Sequence, residues 1–289
     1  MEALAKLIPI LLTVSLAMLV LAVGMNSGKG ELQYVFRRPP LLAKGVLAVI
    51  VIPPVAAGLL IAALPLHPVV EAGIMLMAIS PVPPLVPGKE LSIGGRKEYA
   101  YGLYCAMALL TIVSVPLVLA LTSRVFGRHD GVPVADIART VGLGVVLPLA
   151  VGLVIHRLWP AFAGRAWSLV NKTGLLLVVL AFLPIIIKVW PALMGLVGDG
   201  TLAIMAVVTL IAIAGGHLLG GPNLEDRATL AMASSVRHPG IAMSLAASEF
   251  ADQRISAAVL LFMLVGLVVA VPYTVWIKRR LRTAPPVAA

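Results

Sequence analysis

The chain has 289 residues, of which 61% are hydrophobic and 12% are charged, whereas about a quarter of the residues of a soluble domain are charged. So few ions cannot cover a water-facing surface, and the composition therefore excludes an ordinary soluble protein. The formal net charge of +10 is compatible with an acidic partner, but aromatic residues make up only 5% of the chain. No basic run is interleaved with them, which argues against nucleic-acid binding.

Apolar stretches recur from one end of the chain to the other, and each reaches the length of about 20 residues that a helix needs to cross a bilayer. The first resembles a signal peptide, but it lacks a clear cleavage site and is long for an apolar core, so we expect it in the mature protein. The pattern predicts an all-α integral membrane protein with about nine transmembrane helices, at about 6–25, 41–64, 69–87, 99–122, 138–157, 166–188, 199–220, 228–248 and 254–277.

Basic residues are unequally divided between the two sides of these predicted spans. One side, which includes the C-terminal tail, holds fifteen: Lys29, Arg37, Arg38, Lys44, Lys89, Arg96, Lys97, Arg157, Arg165, Lys172, Arg227, Lys278, Arg279, Arg280 and Arg282. The other side holds six: Lys6, Arg124, Arg128, Arg139, Lys188 and Arg254. Because cytoplasmic loops are enriched in Lys and Arg, we expect a cytoplasmic C-terminus and an external N-terminus in a plasma membrane of the bacterial inner type.

Two of the predicted spans contain helix breakers. The third has four prolines within seven residues and the eighth has a Pro-Gly step, at Pro81, Pro83, Pro84, Pro87, Pro239 and Gly240. Proline removes a backbone donor and clashes with the preceding turn, and irregular backbone at membrane depth is tolerated only inside protein or beside a water-filled cavity. Two interrupted spans at corresponding positions indicate the central site of a secondary transporter. The alternative is that both are kinks that serve packing alone.

Arg237 lies in the second of these breaks, near the middle of a predicted span, where an arginine costs at least about 2.5 kcal/mol. No carboxylate lies well inside any predicted span. Two explanations remain open, and we expect both to contribute. The guanidinium binds an anionic substrate through its planar fork, or it is satisfied by carbonyls exposed where the third helix is broken. For His238, the neighbouring charge favours a neutral, hydrogen-bonding role.

Further polar side chains are candidates for lining the same site: Ser234, Ser235, Ser80, Asn26 and Ser114. The alternative for the serines is that their hydroxyls bond back to the preceding helical turn. Signatures of an enzyme or a metal site, such as HExxH, GxGxxG or paired intramembrane carboxylates, do not occur in the sequence. We therefore expect no catalytic residue and no bound metal.

Several segments resemble the bile acid:sodium symporter family over about residues 8–278: Val23-Gly24-Met25-Asn26, Glu31-Leu32, Phe36-Arg37-Arg38-Pro39, Ile52-Pro53-Pro54, Asp226-Arg227-Ala228-Thr229-Leu230, His238-Pro239-Gly240 and Leu245-Ala246-Ala247. The resemblance implies one domain over residues 1–289, with inverted repeats at about 6–122 and 138–278. It also implies a panel domain and a core domain, with two crossing discontinuous helices at about 69–87 and 228–248. The implied function is alternating-access transport of a small organic anion, usually with sodium.

The family's sodium ligands include a Glu and a Gln on the second crossing helix, where this sequence has Ala233 and Arg237. An arginine there would repel sodium. Our hypothesis is that Arg237 replaces the bound sodium electrostatically, which makes transport independent of sodium and either proton-linked or passive. Sodium, the one cofactor that the resemblance implies, is therefore not expected. A non-transporting membrane sensor or scaffold with the same fold is the alternative function, and the oligomeric state is left open.

Overall fold

The computed structural model describes residues 2–80, 82–125, 135, 139 and 141–283, and over these residues it is helical and contains no strand. We number its helices in chain order: α1 (Glu2–Met25), α2 (Lys29–Phe36), α3 (Pro39–Ala63), α4 (Pro68–Ile79), α5 (Val86–Ser92), α6 (Lys97–Val125), α7 (Gly142–Leu158), α8 (Pro160–Gly195), α9 (Thr201–Leu219), α10 (Leu224–Ser235), α11 (Pro239–Glu249) and α12 (Arg254–Thr283).

Five segments within the described residues are long and apolar enough to cross a membrane: α3, Lys97–Val118 of α6, α8, α9 and α12. Helix α8 buries only 11% of its most apolar window inside the protein, and its Leu169 and Ile187 are 70% and 66% exposed. So many apolar side chains that point away from the protein are stable when they contact lipid. The chain is therefore an α-helical, multi-pass integral membrane protein.

The third and eighth predicted spans each form two helices. The third comprises α4 and α5, and the eighth comprises α10 and α11. Helix α8 is longer than the predicted 166–188 because Pro160 initiates it early, at a position where a missing N–H costs nothing. The short helix α2 lies in a segment that was expected to be a loop, and the Glu31 carboxylate accepts the Gly28 N–H at its start. The predicted beginning of the fifth span, near residue 138, lies outside the described residues.

Helix α1 packs against α7 and α8, and these three form one group of helices. The crossing of α1 and α7 is close because two glycines face each other. A Cβ atom added to Gly24 would lie 2.6 Å from the Leu149 carbonyl oxygen and 2.9 Å from the Cα atom of Gly152. Small residues allow the backbones of membrane helices to approach in this way.

The interrupted helices lie in a second group, around α12. Helix α12 contacts α4, α9, α10 and α11 and also α8 of the first group, and α9 packs closely on α10. Helix α4 contacts α11, whereas α5 contacts α10. The first half of each interrupted segment therefore contacts the second half of the other, and the two segments meet at their breaks. Helix α3 contacts α10 through a wide π turn, Leu47–Val51, which immediately precedes Ile52, Pro53 and Pro54.

Candidate functional site

The first break begins at Ser80, whose backbone is extended (φ −66°, ψ 146°) and ends α4. Val82, Pro83 and Pro84 follow as buried, non-helical residues. Pro81 lies outside the described residues. Pro87 is not within the break, because α5 begins at Val86 and places this proline in its first turn, where proline is tolerated.

The second break is shorter and comprises Val236, Arg237 and His238. Val236 and His238 both have extended backbones. The break ends where Pro239 and Gly240 form the first turn of α11, and the Nδ1 atom of His238 accepts the backbone N–H of Ile241 at 3.3 Å. In this geometry the imidazole ring is a hydrogen-bond acceptor, as a neutral histidine is.

Arg237 joins the two breaks. Its side chain is buried, with 5% of its surface exposed. Nη1 donates to the carbonyl oxygen of Ser80 in the first break at 3.3 Å and to that of Val49 in the π turn of α3 at 2.8 Å. Nη2 donates to the carbonyl oxygen of Ser234, at the end of α10, at 2.6 Å. Three carbonyls from three segments thus converge on one cation.

Prolines leave two of these carbonyls without a helical donor. In an α-helix the N–H of the residue four positions ahead binds each carbonyl, and proline has no N–H. Pro53 follows Val49 by four residues, and Pro84 follows Ser80 by four. Pro54, the donor position of a π turn for Val49, is also a proline. Buried carbonyls need a partner, and Arg237 supplies it. One of the three carbonyls, that of Ser80, lies where the third predicted span is broken, as one of the two explanations expected.

Two small cavities flank the guanidinium, and each has room for about one or two water molecules. Ser80, Thr111 and Ser114 contribute polar groups to the first cavity, which Arg237 also lines. Ser235 and Arg237 contribute polar groups to the second. The structure therefore brings together four of the predicted site residues around two spaces that connect the breaks to α6 and α12.

The serine hydroxyls of the breaks donate to the preceding turns, as the alternative interpretation expected. Ser80 donates to the Leu76 carbonyl at 2.7 Å, and Ser235 donates to the Met232 carbonyl at 3.2 Å. Ser234 lies within 2.8 Å of both the Leu230 and the Ala212 carbonyl oxygens. Their oxygen atoms keep free lone pairs, so these side chains can still accept a hydrogen bond from a water molecule or a ligand.

Asn26 lies elsewhere. Its amide nitrogen donates to the Tyr101 hydroxyl at 2.6 Å, and Tyr101 is in the first turns of α6, near Lys97. Several ionic contacts cluster around this start of α6. Arg96 contacts Glu225 and Asp226, each at 3.2 Å, and Lys97 contacts Glu31 at 2.8 Å. We call the region of Glu31, Arg96, Lys97, Glu225 and Asp226 the charged end. These residues are far apart in the chain, and no local pattern indicates their pairing.

The carbonyls of Val49, Ser80 and Ser234 surround the guanidinium as oxygen ligands would surround a small cation. Ala233, which stands where the resemblance places an acidic ligand, is buried and contributes no oxygen from its side chain. Among the described residues, no group of three or more His, Cys, Asp or Glu side chains could hold a metal ion. In this chain the side chain of Arg237 occupies the position where the carbonyl oxygens converge.

Comparison with known proteins identifies a family for most of the chain. The sequence model described as the Sodium Bile acid symporter family matches residues 13–194, which is more than half of the chain. The matched part extends from α1 into α8 and includes the first break, whereas Arg237 and the second break lie beyond it. No curated protein sequence matches the chain. Members of the matched family are transporters rather than enzymes. This chain belongs to the Sodium Bile acid symporter family.

Proposed function

We propose that this protein is a secondary transporter that moves a small organic anion across the plasma membrane by alternating access. The observation that supports this function best is the contact of Arg237 with Ser80, which links two interrupted helices inside a membrane protein. Unwound backbone is costly in lipid and is retained where a transport site needs it. Membership of a transporter family supports the same conclusion.

The proposed architecture has nine spans arranged as inverted repeats. In each repeat an interrupted helix is followed by one long helix, α6 after α4 and α5, and α12 after α10 and α11. We assign α1, α7 and α8 to a panel domain, and α3 to α6 with α9 to α12 to a core domain. This assignment is supported by the packing of α1 on α7 and α8.

We further propose that transport does not require sodium. A fixed guanidinium already neutralises the carbonyl dipoles that would otherwise attract a small cation, and it would repel sodium at close range. None of the ion pairs found among the described residues includes Arg237. Its positive charge is therefore left to attract an anion through the adjacent cavities, although three of its N–H groups are held by carbonyls.

Uptake into proteoliposomes tests both proposals. Radiolabelled taurocholate and a panel of smaller organic acids would be offered with either an inward sodium gradient or choline in place of sodium. We expect uptake of at least one anion that is equal in the two salts and is lost in Arg237→Ala. Arg254→Ala is the matched control, because Arg254 is exposed and pairs only locally with Asp252. A steep sodium requirement for uptake by the wild type would overturn sodium independence.

A non-transporting sensor or scaffold is the second candidate, and the small size of the two cavities favours it, because neither holds more than about two waters. Currents on a solid-supported membrane distinguish the two functions. A transporter gives a substrate-dependent current or tracer uptake for at least one anion of the panel. A scaffold binds ligands, if any, without moving charge or tracer.

A further inference from the structure

Glu90 is a buried acid that the site around Arg237 does not use. It lies on α5, the second half of the first interrupted helix, and is 1% exposed. One of its carboxylate oxygens, Oε2, has no hydrogen-bond partner within the part of the chain that the structure describes. Glu225 and Asp226 differ from it, because both contact Arg96.

The cations nearest in sequence to Glu90 are either committed elsewhere or partly exposed. Arg96 contacts Glu225 and Asp226, Lys97 contacts Glu31, and Lys89 is half-buried on the same helix. None of the ion pairs found among the described residues includes Glu90. The ionisable groups on the elements packed around it are Lys89 on α5, Arg96 before α6, Lys97, Glu98, Tyr99 and Tyr101 on α6, Glu225, Asp226 and Arg227 on α10, and Lys278, Arg279, Arg280 and Arg282 at the end of α12.

An ionised carboxylate that is sealed from water and lacks a cationic partner costs several kcal/mol, so such a group takes up a proton instead. We therefore expect the buried Glu90 carboxyl to be neutral in this conformation. Exposure to water would lower the cost of the charge and release the proton.

We propose that Glu90 is a proton-binding site that couples proton movement to the transport cycle. This inference rests on the proposed transport function and names its coupling ion. The proton binds to a carboxylate oxygen of Glu90 when α5 is buried, and it leaves to water when the same side chain is exposed.

The packing of α5 links Glu90 to the second interrupted helix. The Glu90 carbonyl accepts the N–H groups of Ile93 and Gly95, which form the turn between α5 and α6. A Cβ atom on Gly95 would lie 2.7 Å from the Thr229 hydroxyl oxygen on α10. The backbone of Glu90 is thus fixed to a turn that lies against the second interrupted helix. Ionisation of Glu90 is therefore expected to accompany a movement of α5 relative to α10.

Infrared spectroscopy of the purified protein tests the proton site without a transport substrate. We expect a carbonyl band of a protonated carboxyl at neutral pH, which disappears on raising the pH and is absent in Glu90→Gln. Glu98→Gln is the matched control, because Glu98 is exposed on α6, and it should keep the band. Glu90→Asp should keep a shifted band. A band unchanged in Glu90→Gln, or no such band in the wild type at neutral pH, would overturn the proposal.

Thermal unfolding gives a second readout of the same proton. A buried carboxyl that holds its proton in the fold but ionises more readily in the unfolded chain stabilises the fold at low pH, and this contribution is lost over the pH interval between the two ionisations. We expect the difference in unfolding temperature between Glu98→Gln and Glu90→Gln to change with pH over that interval. A difference that is constant with pH contradicts a titrating Glu90.

Proteoliposome uptake of taurocholate then tests coupling. An inward proton gradient should stimulate uptake by the wild type and by Glu98→Gln, and the stimulation should be lost in Glu90→Gln. Stimulation that survives in Glu90→Gln overturns the coupling. If no anion of the panel is taken up by the wild type, the transport function fails, and the infrared band still decides whether Glu90 holds the proton.

Discussion

Arg237 and three carbonyl oxygens illustrate how proline can create a binding requirement far from itself in sequence. Pro53 and Pro84 withdraw donors from Val49 and Ser80, and these carbonyls are then free to accept from a side chain that is 188 and 157 residues away, respectively. A planar guanidinium has five donors spread over three nitrogens in a fixed fork, whereas the ammonium of lysine has three donors on a single nitrogen. The residue type at position 237 is therefore determined by the prolines opposite it.

Replacing Arg237 tests this dependence. In Arg237→Met the buried carbonyls lose their donor, and each unsatisfied group costs about 1–3 kcal/mol, so we expect a marked fall in unfolding temperature. Adding Pro53→Ala returns a helical N–H to the Val49 carbonyl and should recover part of the loss. The measurement is thermal unfolding in detergent for both single variants and the double variant.

Pro272 lies inside α12, and Pro272→Ala is the control for a general effect of removing a proline. It should not recover the stability of Arg237→Met. Equal effects of Pro53→Ala in the presence and in the absence of Arg237 would contradict the link between that proline and the guanidinium.

At the scale of helices, close crossings position the site. Helix α1 and helix α7 touch through Gly24 and Gly152, and α4 touches α12 through Gly73, whose added Cβ would lie 2.5 Å from the Cβ atom of Ala258. Backbone contact of this kind leaves no space for larger side chains. The first crossing joins two helices of the proposed panel domain, and the second attaches one interrupted helix to the proposed core.

We expect Gly152→Val to separate α1 from α7, because its Cβ atom would lie 2.9 Å from the Cα atom of Gly24. Overpacking of this kind typically costs about 1–3 kcal/mol, which a lower unfolding temperature in detergent would show. Gly144→Ala on the same helix is the control, since no atom of another helix in the described part of the chain lies within 4 Å of its added Cβ. Comparable losses in the two variants would contradict the close crossing.

The breaks were predictable from the sequence because proline acts on its own turn, and Pro83, Pro84 and Pro239 interrupt or begin helices where they occur. The partner of Arg237 in the π turn was not predictable, because it depends on which helix lies opposite the second break. Glu90 follows the end of the third predicted span, and its burial was not predictable for a similar reason. Its burial follows from the packing of α5 on α10, which no local pattern of residues reveals.

At the scale of the whole molecule, the basic residues in the last turns of α12 indicate how the protein is oriented in the membrane. This helix has 30 residues and is about 45 Å long at 1.5 Å per residue, enough to cross a bilayer completely. Its first end follows Gln253, and its last turns, which carry Arg280 and Arg282, pack through Leu281 against Gly94. Gly94 follows Ser92 and precedes Arg96 of the charged end. We propose that this end is cytoplasmic, because basic residues are retained there.

Single cysteines on intact cells test that orientation and, with it, the arrangement of the spans. In a Cys105→Ala background, Gln253→Cys should react with a membrane-impermeant maleimide from outside, whereas Ser92→Cys should react only after the membrane is permeabilised. Both wild-type side chains are exposed, so a difference in labelling reports sidedness rather than burial. The reverse labelling would show the opposite orientation in the membrane. Labelling of both positions from outside would show that they lie on the same side, which contradicts the proposed arrangement of spans.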